Sequence, residues 1–197
     1  MPRKTLTAGL GYLKLSPTSL NLYNDCPRCF WLEYGKGIKR PRGIFPSLPG
    51  GMDCHIKDYF DQWRALGKLP PELEADGVEG RLFDDQKTME LWRNWRSGLT
   101  YQDEALGAVL RGALDDCLVL DGCYLPLDYK TRGFPRKEDS SDFYQLQLDC
   151  YTFLLQANGR SVNNEAHLVI GQSQCVTPAY LVILAKARIR SSGRAGG

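Results

Sequence analysis

The dipeptide Asp121-Gly122 stands between two short apolar runs, Val109 to Val119 and Tyr124 to Leu127, and constrains the fold more than any other feature of the chain. Both residues tolerate the positive φ angles of a tight hairpin turn, so the pattern predicts antiparallel strands near 108–120 and 123–130. A loop through Gly133, Pro135 and Ser140 comes next. From Phe143 to Gln156 the period lengthens, with Leu146, Cys150, Phe153 and Leu154 at helical spacing and Gly159 as a stop. Two further strands are expected at His167 to Ile170 and Tyr180 to Leu184.

Upstream of the hairpin the expected elements are helices. Ser16 or Thr18 caps a first one carrying Leu20 and Tyr23, and Cys26-Pro27 breaks or restarts it. Lys36, Lys39, Arg40 and Arg42 lie among glycines and a proline in a basic loop, continued by the Pro/Gly-containing stretch from Phe45 to Gly51. A second helix runs from Met52 to about Leu66 and is stopped before Pro70-Pro71, and a third covers Gln86 to Arg96. The fold class expected is α/β. At 197 residues it forms one domain, with a helical part over about 16–100 and a core over about 105–187. The end of the chain, 188–197, is basic and Gly/Ser-rich and reads as a disordered, truncated or altered tail.

Overall charge neither demands nor excludes a polyanionic partner, since 25 basic residues face 23 acidic ones. The first fifteen residues lack the continuous apolar core of a secretory signal, and no stretch is long enough to span a bilayer. A cytoplasmic chain with no membrane partner is therefore expected. The seven cysteines, odd in number and scattered through periodic segments, are read mostly as reduced, small apolar residues.

The chemistry concentrates at the hairpin. Asp128 and Lys130 are two apart on the second arm and share a face, with Tyr129 on the opposite one. Pairing across Asp121-Gly122 brings Asp115, placed on the first arm, toward the same end. Two carboxylates and an ammonium on one face are inexpensive only with a charged ligand, most simply a divalent cation. Such a cation acidifies water and stabilises charge on a phosphate under attack, and Lys130 beside it orients the water or neutralises the developing charge.

With these residues in view, the chain resembles the PD-(D/E)XK nucleases, in particular their RecB-like branch, which includes CRISPR-associated exonucleases that trim spacer precursors. Five short motifs stand in that branch's order: Ser16 to Pro27, Gly51-Met52-Asp53-Cys54-His55, Gly112-Ala113-Leu114-Asp115, Asp128-Tyr129-Lys130-Thr131, and Gln147-Leu148-Asp149-Cys150-Tyr151. The resemblance implies a central mixed β-sheet flanked by helices, a restriction-endonuclease-like core, and a metal-dependent deoxyribonuclease, an exonuclease on single-stranded or duplex DNA ends, using Mg²⁺ or Mn²⁺. It implies His55, Asp115 and Asp128 as metal ligands, with the main-chain carbonyl of Tyr129 offering a further oxygen. Lys130 is then the catalytic lysine, and Gln147 and Tyr151 touch the site or the DNA backbone. Protein partners in DNA repair or CRISPR adaptation are implied at the same level.

Each residue has a plainer reading. Asp116 competes with Asp115, the spacing after Gly112 favours Asp115, and one of the pair is expected at the solvated surface. Gln145 competes with Gln147, which alone has a Tyr four residues on. His55 could be a helix-face histidine without a ligand, and His167 is expected to be structural. The aromatic residues Tyr23, Phe30, Trp31 and Tyr34 are expected in the core rather than as a base-stacking platform. The basic loop is either solvated or in contact with phosphate. The cysteine spacing does not fit the iron–sulfur set of some RecB-like enzymes, because Cys175 alone lies near the C-terminus. A zinc site from Cys26, Cys29, Cys54 and His55 has suitable ligand types but unusual spacing. The alternative to catalysis is an inactive nucleic-acid-binding or assembly module that keeps the fold.

Overall fold

The structure, a computed structural model, describes residues 11–41, 47–132, 140–163, 165–172 and 181–188, with side chains left out at 47–51, 131–132, 140–143, 171–172 and 181–188. Arg42, Gly133, Pro135, Cys175 and the tail beyond 188 lie outside the described residues.

The chain begins with a short strand, β1 (Leu13–Leu15), and turns into helix α1 (Pro17–Asp25). Ser16 is the cap: its hydroxyl accepts the Ser19 N–H, while the Ser19 hydroxyl accepts the Ser16 N–H at 2.8 Å. That reciprocal pair satisfies two main-chain donors at the helix start. Cys26-Pro27 restarts the helix as α2 (Pro27–Phe30), which widens into a π-type turn at Trp31–Gly35. Helix α3 (Ser47–Ala65) starts five residues earlier than the sequence predicts, and Pro71 opens a short α4 (Pro71–Ala75). Strand β2 (Arg81–Leu82) and helix α5 (Gln86–Arg93) come after it.

The apolar run expected as one strand over 108–120 is two. Strand β3 (Leu99–Asp103), which the sequence pattern does not announce, pairs antiparallel with β4 (Ala108–Gly112). The chain then leaves that sheet through Ala113-Leu114-Asp115 and enters another as β5 (Asp116–Leu120). Leu114 is fully buried in this crossing, which explains why the apolar pattern runs on without a break. The expected hairpin joins β5 to β6 (Cys123–Arg132), with Asp121 at φ 50° and Gly122 at φ 78° in the turn. Helix α6 (Ser140–Ala157) and strands β7 (Glu165–Gln172) and β8 (Leu181–Arg188) complete the order.

The result is α/β with mixed sheets flanked by helices. The larger sheet runs β2-β5-β6-β7-β8, parallel only between β6 and β7, and α6 is the crossover between those two strands. The smaller sheet runs β1-β4-β3, with β1 parallel to β4. The part expected to be helical, about 16–100, therefore also contributes β2 and the start of β3.

Alternation along β6 divides the core. Leu125, Leu127 and Tyr129 pack with Ile56 and Phe60 of α3 and Leu73 of α4. The opposite face presents Cys117 to Met89 and Trp92 of α5 and to Tyr151, Leu154 and Leu155 of α6. Leu148 of α6 lies on Ala166, Leu168 and Ile170 of β7. Gly112 permits the close approach of β4 to α6: a Cβ there would stand 2.6 Å from Leu154 Cδ1 and 3.1 Å from the Tyr151 ring.

Candidate site at the open end of β5 and β6

The β5–β6 ladder ends at the pair Asp116–Leu127. Beyond it, β6 continues alone on that side through Asp128, Tyr129 and Lys130, and Asp115 occupies the position a further ladder residue would take. Its Oδ2 accepts the Tyr129 N–H at 3.0 Å, so a side chain replaces the missing strand partner. The N–H and C=O of one strand residue face the same way. The Tyr129 carbonyl therefore also faces the open end, where it accepts from the Lys130 ammonium at 3.3 Å.

Asp128 is 1% exposed. Its Oδ1 accepts from Gln147 Nε2 at 3.1 Å, and Gln147 also donates to the Tyr151 hydroxyl at 2.8 Å. One turn of α6 thus places an amide and a phenol over the buried carboxylate, and Gln145 turns away to Asp149. Oδ2 of Asp128 has the Lys130 ammonium against it but no hydrogen bond among the described residues. Burial pushes the Asp128 carboxyl well above the usual carboxylate range; Lys130 opposes the rise and the neighbouring Asp115 carboxylate adds to it. Lys130 also lies 5.3 Å from the centre of the Tyr144 ring.

Helix α3 adds a cation that no sequence motif singles out. Lys57 bridges Asp115 Oδ1 at 3.0 Å and Asp53 at 2.7 Å. Burial would lower the Lys57 pKa, but the two carboxylates outweigh it and hold the ammonium protonated above its ordinary range. His55, two residues earlier, is exposed on α3. Among the described residues no three His, Cys, Asp or Glu side chains converge, so His55 does not join Asp115 and Asp128 in this structure.

Asp116 is the second departure. Far from being solvated, it is fully buried on the α3 face. Arg64 grips it with Nη2 at 2.7 and 2.6 Å, Arg93 donates at 3.0 Å, and the Tyr129 hydroxyl donates at 2.7 Å. Arg93 Nε also donates to the Asp115 carbonyl at 2.8 Å, and its two terminal nitrogens hold Asp61. This network fixes the main chain of Asp115 and the ring of Tyr129 from beneath. Nothing local in the sequence marks it, because Arg64 and Arg93 come from helices far along the chain.

The donor types suit a small hard cation, two carboxylates and a main-chain carbonyl beyond the end of a ladder, and each is met here by a lysine ammonium. Magnesium-type sites are commonly held by one or two carboxylates, with water and substrate phosphate filling the remaining positions.

The aromatic cluster expected in the core is a surface feature. Tyr23 and Trp31 are 51% and 52% exposed, Phe30 stacks on Tyr34, and the Lys36 ammonium lies 5.2 Å from the Trp31 ring. Helix α1 rests against α6, the helix that carries Gln147 and Tyr151. His167 is buried on β7. Among the described residues no helix is long and apolar enough to cross a membrane. A comparison with protein-family models returns no match, and neither does a comparison with curated protein sequences.

Proposed function

We propose that the chain is a metal-dependent DNA nuclease with a restriction-endonuclease-like core, hydrolysing phosphodiester bonds at DNA ends. The observation that carries this reading is the meeting of Asp115, Asp128, Lys130 and the Tyr129 carbonyl at the open end of β5 and β6. Asp115, Asp128 and that carbonyl would hold Mg²⁺ or Mn²⁺. The bound ion supplies Lewis-acid activation of water and stabilises charge on the phosphate. Lys130 leaves Asp128 to orient the attacking water and to balance the charge that develops on the phosphate oxygens. Gln147 holds Asp128 in register, and Tyr151 holds Gln147. The exposed Trp31 with Lys36 beside it supports a strand-like substrate, because an aromatic face and an ammonium suit a base and its phosphate.

A second reading, an inactive nucleic-acid-binding module, is favoured by one observation: Lys57 already neutralises Asp115. Cleavage of end-labelled single- and double-stranded DNA with Mn²⁺, Mg²⁺ or EDTA separates the two. The nuclease reading expects metal-dependent cleavage that Asp128→Ala and Lys130→Ala both abolish while circular dichroism stays native. Retained cleavage in Lys130→Ala rejects the catalytic role, and DNA binding without cleavage in every metal supports the inactive module.

A further inference from the structure

Away from the carboxylate site, Cys26 and Cys29 stand in contact at the start of α2. Cys26 precedes the helix with extended backbone, φ −158° and ψ 91°, and Pro27 sets the first helical residue. Its sulfur folds back over the turn, lies 2.9 Å from Cys29 Sγ, and accepts the Cys29 N–H at 3.3 Å. Neither cysteine is sealed in the core, unlike Cys117 and Cys150. The positive charge of Arg40 favours the thiolate form at this pair.

We propose that Cys26 and Cys29 form a thiol–disulfide exchange site that takes low-molecular-weight disulfides. Geometry and electrostatics assign the roles. The hydrogen bonds of Cys26 with the Cys29 side chain and N–H, together with Arg40, lower its pKa, and the thiolate is the nucleophile in exchange. The Cys26 thiolate attacks one sulfur of a disulfide such as oxidised glutathione, forming a mixed disulfide and releasing one glutathione thiolate, which takes up a proton. Cys29 gives its proton to solvent and attacks the Cys26 sulfur, forming the Cys26–Cys29 bond and releasing the second glutathione. The pair of protein thiols loses two electrons and the small disulfide gains them. This chemistry does not depend on the nuclease reading. It joins the α1–α2 junction covalently and takes the thiolate partner from Arg40, in the basic segment.

The test is equilibration of the purified full chain, metal-free and under argon, in glutathione buffers of graded redox ratio. Acid quenching, alkylation and chymotryptic digestion would then release the peptide 24–30, which contains both cysteines. The expected result is conversion of that peptide from doubly alkylated to two hydrogens lighter and unalkylated, reversed by dithiothreitol. In Cys29→Ser and Cys29→Ala, a glutathione adduct should accumulate on Cys26. Full alkylation of both cysteines at every ratio overturns the proposal, as do glutathione adducts on both with no internal bond. Stoichiometric binding of Zn²⁺ alone that protects both thiols from alkylation overturns it too, because it would make the pair a metal site.

Discussion

A buried carboxylate needs compensation, and Asp116 receives it from Arg64, Arg93 and the Tyr129 hydroxyl. Removing one member of such a group leaves a charge without its partner, which costs more than the intact group contributes to stability. Arg64→Ala should therefore destabilise the protein by about 3–5 kcal/mol in urea unfolding. A loss of under about 1 kcal/mol, the range of a surface pair, would show that the network carries no such weight. At this scale the sequence is legible where chemistry is local. Asp128 and Lys130 share a face because strand alternation requires it, and Gln147 and Tyr151 share one because a helix repeats every three to four residues. Asp116 reads as a surface residue in the sequence because its partners lie on α3 and α5, and no spacing within its own strand reveals a guanidinium from another element. Lys57 is silent in the sequence for the same reason: it reaches Asp115 only once α3 is docked.

The element scale explains why Asp115 stands beside Asp128 although it is not on a strand. The apolar pattern from Ala108 to Leu120 hides a change of sheet, since Leu114 is buried in the crossing as deeply as any strand residue. The hairpin is legible because its turn demands positive φ at two residues and Asp-Gly supplies them. The break before Asp116 is not, because Gly112 serves there for closeness to α6 rather than for a turn. Gly112→Val should force Leu154 and Tyr151 apart and cost roughly 1–3 kcal/mol, measured by chemical denaturation. A fully stable variant would mean that α6 yields easily, and the placement of Gln147 over Asp128 would then lose its rigid support. At the other end of the chain, Ser16→Ala removes the capping hydroxyl and should cost about 1 kcal/mol by the same measurement. An unchanged midpoint would mean that α1 is held by its packing alone.

Across the whole molecule, α3 and α5 are tied to the main sheet by charge as well as by apolar contact. Asp61 sits where the two helices meet, bound by Arg93 and Gln86. Burial would raise its carboxyl pKa, but the hydrogen bonds from Arg93 and Gln86 outweigh it and hold the group below the usual range. A carboxyl with a lower pKa in the folded state stabilises the fold fully above its unfolded pKa, about 4, and loses that contribution as pH falls through the lower folded value. Asp61→Asn should accordingly lower the thermal midpoint at neutral pH, and the gap from the unaltered protein should close as pH is taken below the ordinary carboxylate range. A gap independent of pH would assign the loss to packing instead. The alternation of helices and strands is legible at this scale, whereas the mixed sheet is expected only through the family resemblance. The partition into two sheets is not legible: β1 is three residues long and pairs with β4 far along the chain, and neither property leaves a periodic trace.

The most direct test of the central claim, that Asp115 and Asp128 form a divalent-cation site, is calorimetric titration of Mn²⁺ into the DNA-free protein and into Asp115→Asn and Asp128→Asn. The account predicts saturable binding by the unaltered chain that both substitutions abolish without loss of fold. Equal binding by all three proteins, or none by the unaltered one, would contradict it and leave the two lysines as the permanent partners of those carboxylates.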